Sequence, residues 1–551
     1  MRLIGTTRWI LRLICVIIGC MGASNTPRSC YVRLKPSGWA SALLVCISLG
    51  ILLADSSALS ADEAANRQRP NIVILYADDM GFGDLGVQNP DSKIPTPHID
   101  CLAREGMRFT DAHSSSGICT PSRYALLHGR YHWRKFYGIV NSFEQSVMDT
   151  ERVTLAEMLA ATGYRTACIG KWHLGWNWDA IRRPELLPRQ NQQKKSVSAA
   201  QAFDWSQPIP GGPLGHGFDY YFGDDVPNFP PYAWIENDRV LSPPTVNLTL
   251  TQKTAEGEWE ARPGPAVDGW DFYAVMPTLT TKAEAWIGQQ KHGVPFFLYF
   301  PFTSPHAPIV PADEFVGLSK ANGYGDYMVQ TDATVGRVLA ALKHHGFADN
   351  TLVIFSADNG PEFYAYERVR RSGHRSMGPL RGLKRDLWEG GHRVPFVVRW
   401  PGVVPTGSVS DGLLSQIDIF ATVAAIIGAD IPAGSAEDSL NQLPLLKGIG
   451  ATARETLVHN TNPNRYALRH NEWVLIDTKT GAGSEVPEWF NAANGYTQNV
   501  FPGELYNLQT DLAQKQNLYA EHPDKVATLR ELLAEVRACE KSAKDSSQPA
   551  K

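Results

Sequence analysis

The sequence predicts an α/β fold in which a β-sheet is covered by helices on both faces, with a small α+β unit at the C-terminus. From Pro70 onward, short apolar runs alternate with segments whose apolar residues recur at helical spacing. The chain has 551 residues, 43% hydrophobic and 20% charged, which is enough to bury a large core. Its character changes after about residue 450, where short strands and one amphipathic helix are expected.

Five apolar runs have the length and composition of strands buried on both faces of a sheet. They are NIVILYADD (71–79), TACIG (166–170), PFFLYFPF (295–302), TLVIFSADNG (351–360) and VPFVVRW (394–400). Helical segments lie between them, as in a sheet with a helical layer on each side.

Several segments between and after these strands have clear helical or irregular patterns. TLAEMLAATG has a capping box from Thr154 to Glu157 and a stop at Gly163, and residues 325–346 have apolar residues at helical spacing. Residues 182–265 are rich in Pro, Gln and Gly, which predicts a long excursion over the rim of the active site. YALRHNEWVLI reads as short strands, and HPDKVATLRELLAEVRACEK as one amphipathic helix.

Residues 1–61 have the composition of an export leader. Two apolar runs, 9–23 and 39–54, follow basic residues, and each is shorter than the roughly 18–20 residues that span a bilayer. We therefore predict a removed leader, no stable membrane span and an exported protein, periplasmic or secreted. A start at Met21 would leave one ordinary signal. Lipid attachment at Cys20 is an alternative that the second apolar run disfavours.

Net charge and cysteine content exclude some classes of partner and of covalent structure. The formal charge is only −4 and no long basic run is present, so no nucleic-acid partner is expected. Four of the eight cysteines lie in the leader, and the remaining Cys101, Cys119, Cys168 and Cys539 suggest no disulfide framework. Cys168 fits a buried strand. Cys119 lies in the Ser- and Gly-rich loop of SSSGICTPSRYALLHGRY (114–131), where a structural role is less convincing.

Two acid-rich corners follow predicted strands. Asp78 and Asp79 end the first strand, and Asp358 and Asn359 end the fourth. Either pair alone could cap a helix or satisfy a turn. Both pairs at the carboxyl ends of buried strands instead indicate an all-oxygen metal site suited to calcium or magnesium.

Basic side chains follow other strand ends. Lys171 and His173 lie in GKWHLG, His306 lies in TSPHAP, and Lys384 lies in RGLKRDLWEGG. Each alone is an ordinary loop residue. Together they describe an anion pocket over the metal, because clustered carboxylates need additional positive charge before an anion can bind.

These motifs occur in the order found in type I sulfatases, which the chain resembles from Asn71 onward. The resemblance rests on CTPSR (119–123) with LLHGRY, the ADD corner, GKWHLG, SPHAP, SADNG, and GLK ahead of WEGG. The arylsulfatase A and N-acetylgalactosamine-6-sulfatase group is the most similar part of the family. His128 departs from a position that is commonly Thr. The resemblance implies an alkaline-phosphatase-like sandwich with a large mixed β-sheet, a catalytic domain over 66–450, a small α+β subdomain over 451–540 and a polar tail over 541–551.

The resemblance also implies the chemistry. A maturation enzyme would oxidise Cys119 to formylglycine, whose hydrate has two hydroxyl groups: one attacks sulfur and the other then eliminates sulfate. One calcium ion would be held by Asp78, Asp79, Asp358, Asn359 and modified Cys119. Arg123 and Lys171 would steady the hydrate, His173 would assist the second hydroxyl, and His306 would protonate the leaving oxygen. Lys384 and Lys171 would bind the sulfate group.

The expected substrate is a sulfated saccharide or an aryl sulfate ester. Asn228 and His374, with Asp224 and Asp225, are candidates for sugar contacts at the rim. One alternative is a phosphatase or phosphodiesterase of the same superfamily, which would need a second metal and an Asp-x-x-x-His segment that we do not find. The other is a non-catalytic binder of sulfated glycans in which Cys119 stays a thiol.

Overall fold

The computed structural model describes residues 69–183, 199–249, 253–254, 256–258 and 261–539. The predicted leader and the polar tail therefore lie outside the described residues. In the part of the chain that is described, no helix combines the length and apolar composition needed to cross a bilayer.

Strands and short helices alternate along the described chain. The strands are β1 (Asn71–Ala77), β2 (Met107–Phe109), β3 (Ala112–His113), β4 (Arg165–Ile169), β5 (Tyr220–Gly223), β6 (Ile235–Glu236), β7 (Arg239–Val240), β8 (Val246–Leu248), β9 (Lys253–Thr254), β10 (Gly257–Glu258), β11 (Gly264–Ala266), β12 (Phe296–Pro301), β13 (Thr351–Ala357), β14 (Phe396–Arg399), β15 (Ser408–Ser410), β16 (Leu414–Ser415), β17 (Thr456–Asn462), β18 (Arg465–His470), β19 (Trp473–Ile476) and β20 (Glu504–Asn507). The α-helices are α1 (Pro97–Arg104), α2 (Cys119–His128), α3 (Leu155–Ala161), α4 (Val275–Gly288), α5 (Asn322–His344), α6 (Tyr364–Ser372), α7 (Glu389–His392), α8 (Ile419–Ile427), α9 (Leu443–Leu446), α10 (Glu488–Asn494) and α11 (Pro523–Ala538).

The large sheet has ten strands in the order β15-β2-β14-β13-β1-β12-β4-β5-β6-β7. The central strands β13, β1, β12, β4 and β5 run parallel to one another. Antiparallel pairs lie on both sides, at β13–β14 and β14–β2 and at β5–β6 and β6–β7. The predicted α/β fold with a large mixed sheet is confirmed.

Helices cover both faces of this sheet. Alternate residues of β1 enter two different cores: Ile72 and Tyr76 pack on the face covered by α2, α3 and α8, whereas Val73 and Leu75 pack on the face covered by α1, α4 and α5. A strand buried on both faces has no polar side to present to solvent, which explains the continuous apolar runs.

The five strands predicted from apolar runs are β1, β4, β12, β13 and β14. The capping box of α3 is also present: Glu157 N donates to Thr154 Oγ1 at 3.0 Å, and Thr154 N donates to Glu157 Oε2 at 2.7 Å. Helix α5 begins three residues before the predicted stretch 325–346 and ends two residues before its last residue.

The interpretation of residues 182–265 as an irregular excursion is wrong for part of that stretch. Strands β5, β6 and β7 extend the large sheet, with β5 parallel to β4. These strands have only two to four residues, too few to produce a detectable alternation beside so many prolines and glycines.

A second sheet forms near the C-terminus. Its strands lie in the antiparallel order β17-β18-β19-β20, and α11 packs on it through Val526, Leu529 and Leu533. The same core includes Ala125 of α2 and Ile417, so this sheet is joined to the helical layer below the large sheet. The short strands and the amphipathic helix that the sequence predicted here are therefore present.

A buried ion pair connects the approach to β17 with α8, and its loss tests that connection. Arg454 donates two hydrogen bonds to the carboxylate of Asp418, and both side chains are buried. We expect Arg454→Ala to lower the free energy of unfolding by about 3–5 kcal/mol, because Asp418 is left as an unpaired buried charge. As the control, Arg530→Ala removes a partly exposed pair with Asp477 and should cost about 0–1 kcal/mol. Equal shifts of the two variants in chemical denaturation would contradict this account.

Candidate active site

Four neighbouring parallel strands deliver polar side chains to one edge of the large sheet. In the order β13, β1, β12 and β4, each strand ends just before residues that the sequence had singled out. Parallel strands place their carboxyl ends together, so residues far apart in sequence meet here. The residues that follow the four strands are Asp358 and Asn359, Asp78 and Asp79, His306, and Lys171 and His173.

Three carboxylates and three cationic groups pair at this edge. Arg123 donates to Asp358 Oδ2 from Nε at 3.1 Å and from Nη2 at 2.7 Å. Lys171 Nζ donates to Asp78 Oδ2 at 2.5 Å. All of these side chains are fully buried, so each charge depends on its partner.

Lys384 forms the third pair and stands closest to the opening. Its Nζ lies 2.8 Å from Asp79 Oδ2 and 3.5 Å from Glu362. Burial alone would lower the pKa of Lys384, but Asp79 and Glu362 hold it well above its ordinary value. Burial raises the pKa of Asp79, yet Lys384 and His306 bring it below the usual value, so both partners remain charged.

The donor set fits a hard cation. Ligand atoms of Asp78, Asp79, Cys119 and His306 lie within 4.8 Å of one another. Asn359 is fully buried and donates through Nδ2 to Asp79 Oδ1 at 2.7 Å, while its Oδ1 has no hydrogen-bond partner among the described residues. A buried amide oxygen with no donor to satisfy it, on a residue that contacts a carboxylate, suits a cation with oxygen ligands.

Cys119 is the first residue of α2 and lines the cavity above the carboxylates. Its Sγ lies 3.5 Å from Asp78 Oδ1. Burial and the neighbouring Asp358 raise the pKa of the thiol well above its ordinary value, so the unmodified side chain is a protonated and poor nucleophile. Cys168, the buried strand residue predicted from the sequence, lies in β4 within the core.

Two histidines line the cavity with Cys119, and hydrogen bonds orient both rings. His173 Nε2 faces Val140 O at 3.0 Å and must donate to that carbonyl, which leaves Nδ1 as an acceptor with no partner in the described chain. His306 Nδ1 donates to Ala307 O at 2.5 Å, so Nε2 is its available atom. Burial lowers the pKa of His306 to about 3, against the influence of Asp79.

The cavity is open and has a volume of about 920 Å³. Lys384, Glu362 and Asn228 line it, and aromatic side chains from Phe229, Phe363 and Tyr364 contribute to its walls. Sequence reasoning missed Glu362, which pairs with both Lys384 and Arg385. Its position two residues after the DNG corner was the only available signal, because its partners come from a loop twenty residues later.

Two of the proposed rim contacts are corrected by the structure. His374 is fully buried, with Nε2 2.7 Å from Asp84 Oδ1, so it supports the turn after β1 and does not lie at the rim. Its loop packs so closely that a Cβ on Gly81 would lie 2.0 Å from Ser376 O. Asp224 is also buried, and burial raises its pKa to about 7.

The backbone of the site is held in an uncommon conformation at three positions. Asp79, His173 and Arg385 have φ values of 63°, 53° and 78°, in the left-handed region that non-glycine residues rarely adopt. Asp225 helps to hold one of them, since its carboxylate accepts a hydrogen bond from His173 N at 3.2 Å. Such conformations persist only where the surrounding contacts fix them, as they do at many functional sites.

Comparison with known proteins identifies the family. The Sulfatase family model matches residues 70–429. The chain belongs to the sulfatase family. It is 33% identical to a Bacteroides thetaiotaomicron protein named N-acetylgalactosamine-6-O-sulfatase, over 89% of this chain and 97% of that one. It is 35% identical to bovine (Bos taurus) arylsulfatase A, over 84% and 85% of the two chains.

Solved structures give the same answer for fold and family. A Bacteroides thetaiotaomicron sulfatase, solved in work on the metabolism of multiple glycosaminoglycans, superposes with a TM-score of 0.70 at 31% identity, covering 86% of this chain and all of that one. A Pseudoalteromonas sulfatase superposes with a TM-score of 0.64 at 25% identity, covering 89% and 94%. The chain is therefore an enzyme of the sulfatase class, and the phosphatase and non-catalytic alternatives gain no support.

Substitution of Arg123 tests how strongly the site depends on a guanidinium group, which can donate to several acceptors at once. Arg123 contacts Asp358 and, through Nη1 at 3.0 Å, the backbone oxygen of Lys171. We expect Arg123→Lys to lower the free energy of unfolding by about 1.5–3 kcal/mol, because a single ammonium group cannot reach both partners. Arg262→Lys is the control, because Arg262 lines the same cavity but is partly exposed. It should change stability by less than about 1 kcal/mol. A larger loss of unfolding free energy at position 262 than at position 123, measured by chemical denaturation, would refute the role given to the Arg123 guanidinium group.

Proposed function

We propose that this sulfatase removes sulfate from sulfated saccharides by using a formylglycine made from Cys119 and one bound calcium ion. The observation that carries the proposal is the position of Cys119 at the base of an open cavity, 3.5 Å from Asp78 and beside His173, His306 and Lys384. A buried thiol with a raised pKa has no evident use there unless it is chemically converted.

The proposed calcium ligands are Asp78, Asp79, Asp358, Asn359 and an oxygen of modified Cys119. When present, the ion lowers the pKa of the oxygen bound to it, and the aldehyde hydrate supplies two hydroxyl groups on one carbon. The charges support binding of an anion: three carboxylates and three cations already cancel, so a divalent ion makes the site positive before the sulfate ester arrives.

The cationic side chains divide the work between the metal ligands and the substrate. Arg123 and Lys171 keep Asp358 and Asp78 in place through the contacts described above. Lys384 lines the cavity, so it is the cation that can turn from Asp79 to the sulfate oxygens. Lys171 is fully buried against Asp78. It therefore adds positive charge to the site from below the cavity surface. Fixed positive groups aimed at growing negative charge are the usual largest source of rate enhancement.

The two histidines supply proton transfer. His173 lines the cavity, and its unprotonated Nδ1 serves as the acceptor for the second hydroxyl group. His306 presents Nε2 and donates a proton to the leaving alcohol oxygen. For this role the negative charge of the bound ester must raise the low pKa of His306, as a nearby anion does.

The substrate class follows from the cavity and from the relatives. An opening of about 920 Å³ with exposed aromatic and polar walls fits a saccharide better than a small aryl ester. Since the bacterial relative that aligns over most of both chains is named for N-acetylgalactosamine 6-sulfate, that sugar is our first candidate. Desulfation of a panel of saccharides sulfated at defined positions, with an aryl sulfate for comparison, tests this choice. Turnover of the aryl ester alone would contradict it.

Conversion of Cys119 can be tested directly. We expect the mass of the peptide containing residue 119 to show loss of sulfur and two hydrogens and gain of one oxygen. Cys119→Ala should lower turnover by at least about a thousandfold, because the nucleophile is lost. Cys168→Ala is the matched control, another buried free thiol, and should leave turnover unchanged. An intact thiol in active enzyme would rule out the formylglycine.

The role of Lys384 predicts a split between chemistry and metal binding. Lys384→Ala should lower kcat/KM by roughly a hundredfold or more, equivalent to about 2–4 kcal/mol. Lys384→Arg should retain part of the activity because it keeps the charge. Calcium content measured on the same preparations identifies the cause: a loss of calcium that parallels the loss of activity would mean that Lys384 acts on the Asp79 ligand and not on the sulfate.

A further inference from the structure

Three buried histidines meet beneath the active-site loop. His113 lies in β3, His392 ends α7, and His459 lies in β17 of the C-terminal sheet. All three are buried, and one nitrogen of each lies within 4.8 Å of the others. None of them belongs to the carboxylate site, so their juxtaposition needs a separate explanation.

Hydrogen bonds fix the outer nitrogen of two of these rings. His392 Nε2 lies 3.2 Å from Leu387 O and must donate, because a carbonyl oxygen only accepts. His113 Nε2 lies 2.7 Å from Asp111 Oδ1. Burial raises the pKa of Asp111, but Arg393 and His113 hold it well below its ordinary value, so this carboxylate accepts a hydrogen bond from His113.

The inner nitrogens of the same two rings then face each other. His113 Nδ1 and His392 Nδ1 lie 3.1 Å apart. With both Nε2 atoms acting as donors, two neutral rings would direct lone pairs at each other, so either a proton or a metal ion must lie between them. Two imidazole nitrogens on one tetrahedral zinc ion, each about 2.0–2.1 Å from the metal, are about 3.3 Å apart. The observed separation is close to that value.

His459 supplies the third ring. It stacks on His392 with ring centroids 3.4 Å and planes 14° apart, and its centroid is 5.3 Å from that of His113. An ion shared with His392 therefore requires the His459 ring to turn out of this stack, because a metal lies in the plane of the imidazole that binds it. The backbone of Ser115 is the one hydrogen-bonding neighbour of the His459 ring among the described residues, and Ser115 Oγ has no partner there. At least one nitrogen of this buried imidazole is therefore left without a partner, which is costly unless it binds something else.

The charged groups around the three rings cancel. Asp111 and Glu389 carry negative charge, and they pair with Arg469 at 3.0 Å and with Arg393 at 3.1 Å respectively. The two carboxylates beside the rings are therefore matched by two arginines. A carboxylate or carbonyl that accepts from the outer nitrogen is the usual support for a histidine that binds a metal through its other nitrogen.

We propose that His113, His392 and His459 bind one divalent transition-metal ion, zinc in the first instance. Imidazole nitrogens suit zinc, whereas the oxygen ligands of the active site suit calcium, so the two sites take different ions. The ion joins β3 and α7 to β17. It thereby fixes the loop ahead of Cys119, where Ser114 N donates to His392 O at 2.8 Å and Ser116 Oγ donates to Asn460 O at 2.7 Å.

Elemental analysis tests the site without measuring activity. Full-length protein expressed in zinc-supplemented medium and then dialysed should retain about one zinc ion per chain. His459→Gln should lower the zinc content at least tenfold, whereas His216→Gln, which replaces a buried histidine elsewhere, should not. Asp79→Asn should lose calcium but keep zinc. Zinc content below about a tenth of an equivalent in the unsubstituted protein overturns the proposal and leaves a shared proton between the two rings. Loss of zinc from the His216 or the Asp79 variant overturns it as well.

A second variant guards against failure of His459→Gln to fold. Asp111→Asn keeps the size of the side chain but removes the carboxylate that supports His113. Competition with a chromogenic chelator should show zinc affinity about 10–100-fold weaker in this variant, with circular dichroism confirming that it is folded. Unchanged zinc affinity in a folded Asp111→Asn protein would overturn the proposed coordination.

Discussion

The parallel pairing of β4, β12, β1 and β13 is the constraint on which the rest of the structure depends. It brings four carboxyl ends to one edge and so assembles residues from positions as distant as 78 and 359. Parallel pairing requires helical crossovers, which cover both faces and bury these strands completely. The apolar core and the polar edge are therefore two consequences of one topology, since the strands end where their side chains can turn towards the cavity.

Charge pairing then determines the local geometry of that edge. Asp78, Asp79 and Asp358 are buried with Lys171, Lys384 and Arg123, and removal of any one member leaves an opposite charge without compensation. Contacts from distant loops also hold the left-handed backbone conformations at Asp79 and His173: Asp79 pairs with Lys384, and the His173 ring donates to Val140 O. A site held this way is organised before substrate arrives, so little binding energy is lost in ordering it.

The sequence predicted the features that depend on local pattern. Apolar runs located five strands of the large sheet, the capping box located the start of α3, and the strand ends located Asp78, Asp79, Asp358 and Asn359. The sequence did not predict features that are determined by contacts between distant segments. Strands β5 to β7 are too short to show a period, Glu362 is recognisable only beside Lys384, and the burial of His374 follows from the close approach of its loop to Gly81. The assignment of roles to the site residues remains a prediction.

The C-terminal sheet illustrates why a boundary in sequence character need not be a boundary in function. The change of pattern near residue 451 predicted a separate small subdomain, yet this segment contacts the loop that carries Cys119. Asn460 O accepts a hydrogen bond from Ser116 Oγ, and Arg469 pairs with Asp111, three residues before the Ser-rich run begins. Trp388, next to α7, also donates to Glu504 of β20 at 2.6 Å. Because these contacts are buried, the sheet cannot be removed without exposing polar groups beneath the cavity. The C-terminal segment therefore supports the active-site loop through these contacts, independently of any ion bound by His113, His392 and His459.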